Sequence, residues 1–285
     1  MRLEALPPLR EQLEAHGLFA KKSFGQHFLL DLNVTRKIAR LAGPLEGRAV
    51  LEVGPGPGGL TRALLEAGAR VVAIEKDARF LPLLTDLAEA ADGRLSVVHN
   101  DALRSDDDAL LTAHAPGLPR RIVANLPYNV GTPLLIKWLT GSLELEAMAL
   151  MFQKEVAQRI AARVGDSAYG RLAVIAQAVC RAEIVMDLPA RAFTPPPKVD
   201  SAVAKLTPLV DRPSRERLAA LERVTAAAFG QRRKMLRSSL KTLGGEALCA
   251  AAEIEPQARA EEIDVAGFLA LADHLLDAGG ERSAR

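Results

Sequence analysis

Between residues 49 and 152 the chain alternates short apolar runs with longer amphipathic stretches. The runs at 49–53, 70–74, 95–99, 121–124 and 147–152 are rich in Val, Ile, Ala and Leu, and each ends near Gly, Asp, Asn or Lys. The segments 60–67, 79–91 and 133–139 repeat their apolar positions at helical spacing. Strands alternating with helices predict an α/β fold with a mostly parallel sheet covered on both faces. In such sheets ligands bind beyond the carboxyl ends of the strands. After helical stretches at 156–164 and 169–181, two strand candidates at 183–188 and 201–206 follow with no helix between them. They predict an antiparallel hairpin closing one sheet edge. The stretch Phe193-Thr194-Pro195-Pro196-Pro197-Lys198-Val199-Asp200 between them is expected to be a stiff, extended loop. Beyond Pro208 and Pro213 only helical periodicity remains, in Leu218, Leu221 and Val224 and then Leu236, Leu240 and Leu243. The expected division is an α/β domain over 1–207 and a small all-helical domain over 208–285, with 1–20 as a mobile arm.

Composition narrows the class. With 285 residues, 49% hydrophobic and 25% charged, the chain suits one large domain and one small one. It excludes disordered, collagen-like and disulfide-scaffold classes. No apolar run reaches the roughly 20 residues that span a bilayer, and the first ten residues lack a secretory h-region. Cys180 and Cys249 have no metal-ligand spacing and are expected to be small core residues. A soluble, cytoplasmic, metal-free protein is therefore expected. Lys and Arg total 37 against 35 Asp and Glu, so no uniformly basic coat is present. Locally, however, 212–241 carries nine Arg and Lys against Glu216 and Glu222, a charge of +7, while 242–285 sums to −6. Within the basic stretch lie Arg232, Arg233, Lys234, Arg237 and Lys241. The i, i+4, i+8 spacing of Arg233, Arg237 and Lys241 predicts one helical stripe facing RNA phosphate.

The first apolar run leads into Gly54-Pro55-Gly56-Pro57-Gly58-Gly59 and then a helix. Glycines there allow close backbone approach to a ligand. Glu75 ends the second run about 20 residues on, where a carboxylate can bind both ribose hydroxyls. The spacing of Gly54, Gly56 and Gly59 also fits a nicotinamide-binding fingerprint. Two prolines in the loop, and Glu52 close to where a phosphate would sit, favour S-adenosylmethionine instead. Asp101 closes the third run, placed to accept from an adenine N6 amine or to cap a helix.

The fourth run ends in Asn125-Leu126-Pro127-Tyr128. An exocyclic adenine amine is a poor nucleophile because its lone pair is delocalised into the ring. Two acceptors on its hydrogens pull the nitrogen toward tetrahedral geometry and aim the lone pair at a methyl donor. Asn125 supplies an amide oxygen, and Pro127 forces an extended Leu126 whose carbonyl supplies the second acceptor. Tyr128 offers a stacking face. No general base is required, because the methylated amine is strongly acidic. Cytosine C5 transfer would need a Pro-Cys thiolate, but Val179 and Leu248 precede the two cysteines.

At this point the sequence resembles the small-subunit (16S) ribosomal RNA adenine N6,N6-dimethyltransferases, the KsgA group. The resemblance runs from about Lys21 to the C-terminus. It is carried by Gly25-Gln26-His27-Phe28-Leu29, Glu52-Val53-Gly54-Pro55-Gly56, Glu75, Asp101, Asn125-Leu126-Pro127-Tyr128, Tyr169-Gly170-Arg171-Leu172 and Phe193 to Ser201. It implies a class I S-adenosylmethionine-dependent methyltransferase, Rossmann-like and seven-stranded, that dimethylates two adjacent adenines near the 3′ end of that RNA late in ribosome assembly. S-adenosylhomocysteine would be the product, and the enzyme a monomer acting on immature small subunits. The cofactor positions it implies are His27, Leu29, Gly54, Glu75, Asp101 and Asn125, to which the motif reading adds Glu52 and Gly56. Tyr128 and Phe193 would hold the base, with Phe193 as a stacking wall on its proline-stiffened loop. Many relatives carry Asn in place of His27. Three other readings compete: an erythromycin-resistance-type large-subunit RNA adenine methyltransferase, an assembly factor whose binding role exceeds its catalytic one, and a nicotinamide oxidoreductase. The last leaves Asn125 to Tyr128 unexplained.

Overall fold

The computed structural model describes residues 3, 6–18, 26–231 and 233–283. The described strands are β1 (Phe28–Leu29), β2 (Ala49–Val53), β3 (Arg70–Glu75), β4 (Leu95–His99), β5 (Arg120–Asn125), β6 (Ala147–Gln153), β7 (Cys180–Leu188), β8 (Phe193–Thr194) and β9 (Ser201–Pro208). Seven of them form one sheet in the order β4-β3-β2-β5-β6-β9-β7. The run from β4 to β6 is parallel. Every residue of β2 is buried, as are the first six of β6. That two-faced burial is why these strands read as continuous apolar runs rather than as alternation. The helices Gly59–Glu66, Leu81–Ala90, Asp107–His114 and Gly131–Thr140 connect the parallel strands.

β9 runs antiparallel to β6, with Ser201 opposite Gln153 and Leu206 opposite Met148. An antiparallel strand presents its first residue where parallel neighbours present their last. Ser201 therefore sits at the sheet edge that carries the carboxyl ends of β2 to β6. β7 and β9 are neighbours at the sheet's end, as the hairpin expectation required. The loop between them contributes something the sequence pattern does not show. Its first residues form β8, which pairs antiparallel with β1, Phe28 opposite Thr194 and Leu29 opposite Phe193. The Thr194–Pro195 peptide bond in it is cis.

The N-terminal segment is not a free arm in its described part. Leu9–Ala15 is helical, with Leu6, Leu9 and Leu13 buried. Arg62 donates to the Pro7 carbonyl oxygen (2.9 Å) and to Gln12 Oε1 (2.7 Å), which ties this segment to the helix after the glycine loop. The apolar spacing of Leu6, Leu9 and Leu13 was the overlooked signal. Residues 19–25, including Lys21, Lys22 and Gly25, lie outside the described residues.

The chain divides into two compact units. The first comprises residues 1–138, 142–157 and 183–207; the second comprises 139–141, 158–182 and 208–285. A single cut at 207 follows chain order, whereas the packing groups 158–182 with the C-terminal helices. In the second unit, Ser214 caps the helix Arg215–Gly230 through the Arg217 amide (3.2 Å). Arg217 makes a bidentate pair with Asp273 of the helix Val265–Ser283 (2.7 Å each). The Tyr169 hydroxyl donates to the Ile263 carbonyl oxygen (2.9 Å). The expected basic stripe on one helix is corrected here. The long helix ends at Gly230, and a four-residue helix, Leu236–Ser239, begins after a turn. Backbone bonds from Leu236 to Ala258 and from Arg237 to Pro256, with a bridge between Met235 and Arg259, hold the chain out of helical continuation. Arg233, Lys234, Arg237 and Lys241 are exposed on this broken segment, and Arg232 lies outside the described residues.

Candidate active site

The carboxyl ends of β2, β3, β4 and β5 each deliver a polar group to one cavity. His27, Leu29, Glu52, Gly54, Gly56, Glu75, Asp101, Asn125, Leu126, Pro127 and Tyr128 all line it. Gly54 and Gly56 have φ of +68° and +53°, where an L side chain is strained. A Cβ on Gly56 would also stand 3.3 Å from the Phe28 ring.

Glu75 holds the loop as well as lining the cavity. Its Oε2 accepts from the Gly56 amide (3.0 Å), and its Oε1 accepts from the Asp77 amide (2.7 Å). A carboxylate has about four acceptor sites, so these bonds leave room for a further donor. Burial raises its pKa, while the two amides oppose that rise. Asp101 is held at both oxygens: Oδ2 accepts from Lys76 Nζ (2.8 Å), and Oδ1 accepts from the Leu103 amide (3.0 Å). The Lys76 ammonium lowers its pKa.

Glu52 is the most unusual group. It is fully buried, and its Oε2 has no hydrogen-bond partner among the described residues. Burial pushes its pKa up to about 8, the Thr61 hydroxyl eases the rise, and Glu75 adds repulsion. Thr61 Oγ1 nevertheless falls outside hydrogen-bond geometry and has no partner among the described residues. Burial thus favours the neutral form of Glu52 in the free site, whereas the sequence argument against a phosphate took it as an anion. Glu52 lines the cavity, and a buried carboxyl group there fits a ligand that brings a cationic donor.

Asn125 is oriented by its donor end. Its Nδ2 donates to the His27 carbonyl oxygen (3.2 Å), which leaves Oδ1 as the acceptor. After it, the amides of Val130 and Gly131 both bond to the Pro127 carbonyl (3.0 and 3.1 Å), so the turn does not draw on the Leu126 carbonyl. His27 Nδ1 lies 2.8 Å from the Pro195 carbonyl oxygen, which can only accept, so Nδ1 carries the proton. The His27 ring stacks on Tyr128 with centroids 5.4 Å apart.

Phe193 is the expectation that the structure does not place in the cavity. It is 2% exposed and belongs to the core cluster with Leu29 and Leu188. β8 pairing turns the ring inward, and here it packs in the core rather than lining the cavity. Lining residues that the sequence reading passed over include Gln26, Lys76, Asp77 and Asn100. Gln26 Nε2 donates to Asp77 Oδ2 (3.0 Å), and the Arg79 guanidinium holds Asp77 down to about 2. Polar residues one or two positions past Glu75 and before Asp101 were the available signal.

A sheet of this order, with a glycine loop after β2 and an acidic residue ending β3, defines a Rossmann-like methyltransferase. Solved structures share it across nearly the whole chain. A dimethyladenosine transferase from Plasmodium falciparum is 25% identical, with a TM-score of 0.72 over 89% of this chain and 98% of that one. The 23S rRNA methyltransferase ErmE is 28% identical, with a TM-score of 0.64 over 87% and 99%. The family model described as ribosomal RNA adenine dimethylase matches residues 17–277, and the chain belongs to that family. The ribosomal RNA small subunit methyltransferase A of Phenylobacterium zucineum (strain HLK1) is 68% identical over 276 residues, 97% of this chain and 95% of that protein.

Proposed function

We propose that this protein transfers methyl groups from S-adenosylmethionine to the exocyclic N6 of two adjacent adenines near the 3′ end of small-subunit (16S) ribosomal RNA. The product is N6,N6-dimethyladenosine, made during late subunit assembly. The observation that carries this reading is the orientation of Asn125, whose donor end is spent on the His27 carbonyl and whose acceptor end is left for an amine. The name and 68% identity of the Phenylobacterium relative support the small subunit as substrate. The likeness to ErmE is one of fold and chemistry and lies at 28% identity.

When bound, S-adenosylmethionine supplies an electrophilic methyl on a sulfonium. Glu75 would accept from its ribose hydroxyls, Glu52 from a cationic donor, and Asp101 from its adenine amine, while Gly54 and Gly56 let it approach the backbone. His27, just before β1, and Leu29 within it would close the cavity from that side. Asn125 Oδ1 and the Leu126 carbonyl each accept one hydrogen of the target amine. As the nitrogen becomes tetrahedral these bonds shorten, so they stabilise the transition state more than the ground state. Pro127 keeps Leu126 extended, and Tyr128 supports the flipped base by stacking. The proton lost from nitrogen goes to water, and no metal enters the reaction. Arg233, Lys234, Arg237 and Lys241, together with Arg232, would contact RNA phosphate.

The test is transfer of labelled methyl to small subunits from cells lacking the modification. Parental enzyme should label them, and Asn125→Ala should do so at least about a hundredfold more slowly. Equal labelling by both would remove Asn125, and with it the reading, from the chemistry.

A further inference from the structure

The Tyr128 side chain is held at two places. Its hydroxyl shares a 2.6 Å hydrogen bond with Ser201 Oγ, and its ring stacks on His27. Ser201 is fully buried and begins β9, opposite Gln153 at the end of β6. β6 lies between β5 and β9, so the phenol starts three residues past β5 and reaches beyond the end of β6 to meet β9. Only the antiparallel direction of β9 brings its first residue to this edge. The hydrogen bond joins residues 73 apart and has no part in the strand ladder.

A ring that swings about two torsions presents a defined face only if its far end is tied. His27 limits movement perpendicular to the ring, and Ser201 fixes the hydroxyl within its plane. Burial raises the Tyr128 pKa, so the phenol stays neutral and the bond is one between two hydroxyls. We propose that Ser201 is a positioning residue for the methyl acceptor: it sets the Tyr128 ring in the orientation against which the target base stacks. This rests on the adenine-methylating reading above.

The experiment is a double-mutant cycle of Ser201→Ala and Tyr128→Phe, read as kcat on unmethylated small subunits. S-adenosylmethionine affinity and melting temperature are measured beside it. Removing a neutral hydrogen bond, and so misplacing a stacking wall, should lower kcat about tenfold in each single variant. Cofactor affinity should be unchanged. The double variant should be no slower than Tyr128→Phe alone, because Ser201 acts only through the phenol. A Ser201 with a merely structural role would cost the same in both backgrounds, and that additivity overturns the inference. Parental kcat in Ser201→Ala overturns it equally. Should Ser201→Ala melt early, Tyr128→Phe removes the same bond while keeping the ring, and parental kcat there is decisive against it. If the parental enzyme labels no adenine, the reading fails and the inference falls with it. An active parent with an unaffected Ser201→Ala overturns the inference alone.

Discussion

Asn125 at the end of β5 donates through Nδ2 to the carbonyl oxygen of His27, 98 residues earlier and 3.2 Å away. The bond decides which end of the amide faces the substrate. It predicts that Asn125→Asp fails although it keeps an acceptor, because a carboxylate oxygen would then oppose the His27 carbonyl. Asn125→Ala should lose on the order of 10²–10³ in kcat, the cost of one preorganised group aimed at the reacting atom. Asn125→Asp should fall at least tenfold, with cofactor affinity in both variants changed far less than turnover. Steady-state kinetics on small subunits would measure this, and a fully active Asn125→Asp would show that the His27 bond orients nothing.

Glu75→Ala should weaken S-adenosylmethionine binding about tenfold to a hundredfold, since charge-assisted hydrogen bonds contribute roughly 1.5–3 kcal/mol. The melting temperature should fall too, because the Gly56 and Asp77 amides lose their acceptor. Calorimetry and thermal melting check the two effects separately. Unchanged affinity would take Glu75 out of the site.

Glu52 predicts a proton-linked cofactor. Its pKa is raised to about 8, so at pH 7 the free site holds a proton there. A cation bound nearby favours the carboxylate, which lowers that pKa in the complex and expels the proton. Affinity should therefore rise with pH from about 6 toward about 8. Titration calorimetry at pH 7, in buffers of different ionisation enthalpy, should count release of most of one proton. Glu52→Gln should release none, and proton uptake or no exchange by the parental protein would contradict the assignment.

The parallel strands and the glycine loop were legible because burial on both faces leaves unbroken Val, Ile, Ala and Leu runs. Asn125 to Tyr128 was legible because few residue combinations give two acceptors at a strand end. Phe193 was not: a lone aromatic beside prolines has no period, and only the two-residue pairing of β8 with β1 decides which way its ring points. The break after Gly230 was hidden for a related reason. The i, i+4, i+8 spacing presumes one helix, while long-range pairing with residues 256–259 decides otherwise. The desolvation of Glu52 was hidden because sequence shows the residue but not its burial.

Phe193→Ala should destabilise the fold by roughly 3–5 kcal/mol, as for a large buried side chain cut to a methyl. Phe193→Leu should recover most of that loss. Chemical denaturation measures both. A Phe193→Ala protein of parental stability that has lost turnover would return the ring to the site.

Replacing Arg233, Arg237 and Lys241 by Glu should weaken RNA or subunit binding and flatten its salt dependence. Each phosphate left without its cation lowers the slope of log K against log salt by somewhat under one unit. Cofactor binding should not change. An unaltered slope would mark these residues as solvated surface.

The most direct measurement is nucleoside analysis of RNA from unmethylated small and large subunits incubated with the enzyme and labelled S-adenosylmethionine. The label should appear in small-subunit RNA as N6,N6-dimethyladenosine, at two adjacent positions near the 3′ end. Label confined to large-subunit RNA, or carried on any base other than adenine, would contradict the account.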